Sequence, residues 1–184
     1  MERPSGGLKL ALGERAPYFS LPATDGRIYS LADFSSVKAF VVIFTANHCP
    51  YAQAYEQRID ELAARFRDEG VPFVLVCSND ADAYPEDNFE NMIEKSRQYG
   101  FRVPYLHDES QAVARAYDAA CTPEAYVFDS EHRLRYHGMI DDNHEHADQV
   151  ESRYLEDALE AILNGLEPQT PLTHVIGCSI KWRR

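Results

Sequence analysis

The residues best suited to chemistry lie together in the string 44–52, FTANHCPYA. Cys49 is preceded by Asn47 and His48 and followed by Pro50, between an apolar run and an amphipathic one. Proline at the first position of a helix loses no hydrogen bond and already has the required φ, so Cys49 is expected at or beside an N-cap. The first N–H groups of a helix lack internal partners and its dipole is positive there. Both favour a thiolate over the thiol of pKa about 8.5 found in a free cysteine. The chemistry expected is nucleophilic attack on a disulfide or an oxidised sulfur. A small buried apolar residue is the plainer reading of a cysteine, but it fits a place inside an element better than this one.

The neighbours of Cys49 each carry two readings. Protonated His48 could lower the thiol's pKa or relay a proton, or it could be a partly exposed loop side chain that shapes access. Asn47 has the residue type that ties down a turn, and Tyr51 could form a docking surface beside the sulfur or cover the core. Cys77 ends the apolar run VPFVLVC and is expected to be an inert core residue. Cys121, two residues before Pro123, is either a second thiol or a small residue packed under its loop. Cys178 is either a distant resolving thiol or a tail cysteine packed on the body. The run 141–146, DDNHEH, has metal-ligand residue types but reads as a solvated acidic loop. No phosphate-binding glycine loop or dinucleotide fingerprint is present, so neither a cofactor nor a metal is expected.

These residues need elements to hold them. A β-branched and aromatic run at 38–45 predicts a central strand, and the three- and four-residue spacing of Ala52, Tyr55, Ile59, Leu62, Ala63 and Phe66 predicts a helix at 50–67. A strand at 71–77 and a helix from about 85 to Gly100 follow. Ahead of this unit, 18–21 and 27–30 flank the turn Ala23-Thr24-Asp25-Gly26 as a hairpin. Beyond it come a short strand at 103–106, a helix at 110–117, strands at 125–129 and 134–140, and a last helix at 150–163 closed by Gly165. The alternation is that of an α/β protein.

With 184 residues the chain fits one domain, divided here into a leader at 1–7, a domain at 8–165 and an irregular tail at 166–184. The formal charge of −12, with basic residues scattered, argues against nucleic acid or an anionic membrane as partner. No signal peptide or membrane span is visible, and the chain reads as cytosolic, where four cysteines do not imply a disulfide framework.

The motifs GERAPYFSLPATDGR, ANHCPYAQAYEQR, SNDADAYPEDNFENM, FRVPYLHDES, CTPEAYVFD and GCSIKW, in this order, resemble the peroxiredoxin-like redoxins of bacteria. The resemblance implies a thioredoxin-like fold with a mixed central sheet and an N-terminal hairpin extension. It places Cys49 as the attacking cysteine and Thr122-Pro123 as the cis-proline segment facing it, and it implies a protein or small-molecule disulfide as substrate. Peroxide reduction through a Cys49 sulfenic acid, or a non-enzymatic sensing or protein-binding role, are the alternatives it leaves open. Ala52 stands where the thioredoxin pattern has its second cysteine, and Ala46 stands three residues before Cys49, where peroxiredoxins have threonine or serine. No arginine lies between Cys121 and Ser130. Any resolving partner must therefore come from far along the chain or from an external thiol.

Overall fold

The computed structural model describes residues 10–184, and the leader expected at 1–7 lies outside the described residues. In chain order the elements are β1 (Ser20–Pro22), β2 (Ile28–Ser30), β3 (Ala39–Thr45), α1 (Pro50–Arg67), β4 (Phe73–Cys77), α2 (Phe89–Tyr99), β5 (Tyr105–His107), α3 (Ala112–Tyr117), β6 (Cys121–Thr122), β7 (Glu124–Asp129), β8 (Leu134–Gly138), α4 (Tyr154–Leu163) and β9 (Cys178–Ser179). A mixed sheet runs β5-β4-β3-β7-β8, with β3 parallel to β4 and antiparallel to β7. Two small antiparallel pairs, β1-β2 and β6-β9, flank it.

Every residue of β3 is buried, because both faces of the sheet are covered, and this explains a sequence with no polar alternation. The pleat still sorts its side chains. Ala39, Val41 and Ile43 enter one cluster with Tyr55, Ile59 and Phe66 of α1, Met92 of α2 and Leu155 and Leu159 of α4. Phe40, Val42 and Phe44 enter the other, with Phe19 and Leu21 from the hairpin region and Tyr117 of α3. α1 begins at the expected Pro50, and its chain reversal at Gly70 requires the positive φ of +84°. At the C-terminal end of β3, which this packing holds rigid, the chain turns into α1 at Cys49.

Two helices start later than the sequence pattern predicts, and in each case a carboxylate holds the preceding chain. Pro85–Asp87 is a 3-10 turn, not the start of α2, because the Asp87 side chain turns inward and Asn88, in extended conformation, caps a new helix by accepting from the Asn91 N–H at 2.8 Å. Likewise α4 begins at Tyr154 and not near Val150. Asp142 accepts from the N–H groups of Glu151 and Ser152, each at 3.0 Å, and keeps that segment out of the helix. The tail is largely irregular as expected, yet it also supplies β9, paired as Thr122↔Cys178 and Cys121↔Ser179. A two-residue strand has no periodicity to read. Among the described residues no helix is long and apolar enough to cross a membrane.

Candidate active site

Cys49 is the N-cap residue of α1, extended at φ −79° and ψ 115°, with its sulfur accepting from the Ala52 N–H at 3.4 Å. The Cys49 thiol donates to the Thr122 carbonyl at 3.2 Å, and only 1% of the residue is exposed. The Thr122-Pro123 bond is cis, as the resemblance implies. These two contacts act on different forms of the sulfur. The helix amide favours the thiolate, and the carbonyl favours the thiol.

It is the backbone of Thr122 that meets the sulfur. Its hydroxyl is buried and finds no partner. An unpaired buried hydroxyl contributes a desolvation cost and no bond, so Thr122→Val is expected to leave the stability unchanged or to raise it by about 1 kcal/mol, read from urea unfolding. A loss of that size instead would show that the hydroxyl is paired.

Cys178 comes to the same place from the far end of the chain. Its pairing opposite Thr122 sets it beside the carbonyl that the Cys49 thiol contacts. Burial, then a hydrogen bond to Cys49 and the charge of that sulfur, push the Cys178 thiol up to about 11. The Tyr51 backbone, in the first turn of α1, acts in the opposite direction on the Cys178 thiol and lowers it. Cys178 therefore stays protonated near neutral pH. Cys121 is one residue along β6 from Thr122, and alternation puts its side chain on the opposite side from that of Cys178. Cys77 is fully buried in β4, where desolvation pushes it up to about 12.

The loop before Cys49 is held by a residue that the sequence reading passed over. Asp87 is fully buried and accepts from the N–H of Asn47 at 2.7 Å, the N–H of His48 at 3.3 Å and the Asn79 side chain at 2.8 Å. It also pairs with Nδ1 of His48, whose ring stacks on Tyr84 at 5.2 Å. His48 is thus oriented on two sides, with Nδ1 committed to Asp87. Asn47 does more than shape a turn. Its amide donates to the Glu86 carbonyl at 2.8 Å and accepts from the Tyr105 hydroxyl at 2.9 Å, bridging to the segment before α2 and to β5. Tyr51 is partly buried against the core, with its ring 4.5 Å from that of His144. Among the described residues no group of histidine, cysteine or acidic side chains could hold a metal ion. Asp141 of the acidic run accepts instead from Arg58 at 2.5 Å and Tyr55 at 3.0 Å.

Glu124, directly after Pro123, was likewise not singled out by the sequence pattern. Its carboxylate is buried, with Oε2 accepting from the N–H groups of Ala120 and Cys121, both at 2.8 Å. Oε1 accepts from the Tyr126 hydroxyl at 2.9 Å and from His137 Nε2 at 2.5 Å. Burial raises the carboxyl pKa, but the hydrogen bond and charge of His137, together with the two backbone donors, outweigh it and leave the group below its usual range. The clamp holds the loop that carries Thr122.

Comparison with known proteins shows the family and the fold. The chain is 41% identical to an uncharacterized conserved protein from Geobacillus kaustophilus, covering 95% of this chain and 93% of that one with a TM-score of 0.89. It is 38% identical to a hypothetical protein from Sinorhizobium meliloti 1021, over 96% and 97% of the two chains, again with a TM-score of 0.89. A peroxidoxin from Mycobacterium tuberculosis, BcpB, shares the fold at 17% identity and a TM-score of 0.58, over 83% of this chain and 94% of that one. No curated protein matches. Residues 12–137 match the model of the AhpC/TSA family. With more than half its length in that match and a mixed five-stranded sheet carrying a cysteine at the start of its first long helix, the chain belongs to the AhpC/TSA family as a thioredoxin-like redoxin.

Proposed function

We propose that the protein is a thiol–disulfide oxidoreductase in which Cys49 attacks and Cys178 resolves. The observation that carries this reading is the pairing of Cys178 opposite Thr122, whose carbonyl accepts from the Cys49 thiol. In the first step the Cys49 thiolate attacks one sulfur of a substrate disulfide. The substrate S–S bond breaks, the departing thiolate takes a proton, and a mixed disulfide with Cys49 remains. In the second step Cys178 loses its proton and attacks the Cys49 sulfur, and the second substrate thiol leaves. One disulfide is reduced to two thiols while Cys49 and Cys178 are oxidised to one disulfide. An external thiol or dithiol returns the pair to the reduced state, which suits a cytoplasmic setting.

The substrate class is a protein or small-molecule disulfide, and a surface charge of −12 disfavours polyanionic partners. Peroxide reduction is less well supported, because Ala46 offers no hydroxyl three residues before Cys49. The test is to oxidise the reduced protein with one equivalent of oxidised glutathione and map its disulfides by mass spectrometry. A Cys49–Cys178 bond is expected as the main product, and Cys49→Ser is expected to abolish disulfide reduction. A Cys49→Ser variant that reduces disulfides at the wild-type rate would overturn the reading.

A further inference from the structure

The close approach of the tail to the nucleophile depends on a single glycine. A Cβ on Gly177 would lie 2.2 Å from the Thr122 carbonyl oxygen and 2.9 Å from its carbon. Both atoms are backbone, so no side chain can swing away to make room. The Gly177 backbone does not demand glycine by a positive φ, so contact alone excludes a side chain there.

The tail has little freedom to absorb a displacement elsewhere. Upstream, the N–H of Thr173 donates to the His137 carbonyl at 3.1 Å and its hydroxyl accepts from the Met139 N–H at 2.7 Å. Downstream, the Ile180 N–H donates to the Ala120 carbonyl at 2.9 Å, and the Lys181 N–H donates to Asn79 at 2.8 Å. The Lys181 carbonyl accepts from the Asp80 N–H and from the Gln111 amide, both at 2.8 Å. With both ends pinned, a shift forced at Gly177 falls on its neighbour Cys178.

We propose that Gly177 is the positioning residue that lets the tail deliver Cys178 to Cys49, and that a side chain there separates attack from resolution. The proposal rests on the dithiol reading above. Reacting sulfurs must be held in line at close range, and a misplacement of about 1 Å can slow an intramolecular step by roughly 100-fold. Cys178 of the docked tail packs against the cluster that contains Cys49, which is only 1% exposed, so loosening the tail is expected to expose Cys49 and not to slow the first attack.

The test uses the full chain, reduced, against dithiobis(nitrobenzoate). The first nitrothiobenzoate anion is released when Cys49 attacks, and the second when Cys178 resolves the mixed disulfide. For Gly177→Ala the first phase is expected at the wild-type rate or faster, and the second at least 10-fold slower, toward the roughly 100-fold cost of a misplaced group. Ile176→Ala, which truncates the exposed neighbouring side chain, is expected to leave both phases unchanged. A Gly177→Ala protein that folds and shows an unaltered second phase overturns the proposal. Global unfolding of that variant in circular dichroism overturns it too, because a positioning role predicts damage confined to the tail. Absence of a second phase in the wild type would instead count against the dithiol reading itself.

Discussion

Replacing Glu124 by glutamine is expected to cost about 3–5 kcal/mol of stability, the range found when one partner of a buried ion pair is removed. The carboxylate presents two acceptor oxygens to two sets of donors, the Ala120 and Cys121 N–H groups on one side and Tyr126 and His137 on the other. An amide can offer its carbonyl to only one set, and its NH₂ then faces the donors of the other. Tyr126 is fully buried and the other donors are half-buried, so much of the cost of leaving them unpaired is felt. The shift also sets a pH dependence. The folded-state pKa of Glu124 lies below its ordinary value of 4.5, so its contribution is complete above 4.5 and is lost as the pH falls through that value toward the folded pKa. Urea unfolding of wild type and Glu124→Gln should show a stability gap that is widest near neutral pH and narrows below 4.5. A gap under about 1 kcal/mol at pH 7 would show that the clamp contributes little.

Cys178→Ser is expected to stop the cycle halfway. Attack by Cys49 draws on the first-turn amide, which the substitution does not remove. The mixed disulfide should therefore form at close to the wild-type rate and then accumulate, because a serine hydroxyl cannot perform the exchange. Turnover then depends on a second, external thiol. An effective molarity of even a modest intramolecular attack exceeds millimolar thiol by several powers of ten, so a fall of about 100-fold in steady-state disulfide reduction is expected. Intact-mass spectrometry after one equivalent of oxidised glutathione would show a glutathione adduct on Cys178→Ser and an internal disulfide in the wild type. If both proteins carry the same adduct, Cys178 is not the resolving thiol.

The elements that bury a stripe were legible in the sequence, and those that bury a point were not. α1 and β3 advertise themselves through eighteen and seven residues of consistent pattern, and Pro50 marks the N-cap at Cys49. The cis bond before Pro123 followed from the family resemblance and not from the residues alone. Asp87 escaped notice because Asn47 and His48 reach it from another segment, and Glu124 because its nearby partners meet it only once the loop before Pro123 has folded. A lone carboxylate beside a proline looks like any solvated loop acid until Asn47, His48 and Asn79 converge on it. The contact of Cys178 with the site depends on a two-residue pairing between segments far apart in sequence, for which local pattern has no signal.

The short ladder between β6 and β9 also bears on the direction of electron flow. A bond from Cys49 to Cys178 would close a loop of about 130 residues, which restricts the unfolded chain by about 5 kcal/mol. By reciprocity, a fold that already holds the two sulfurs together stabilises their disulfide to the same extent. The interaction of a Cys49 anion with the helix start favours the reduced form, but by no more than about 2 kcal/mol. The remainder of about 3 kcal/mol corresponds to a potential about 60 mV more negative than that of the same two thiols in an unfolded chain. Such a pair gives electrons away more readily than the same two thiols would in an unfolded chain, which suits the disulfide reduction proposed above.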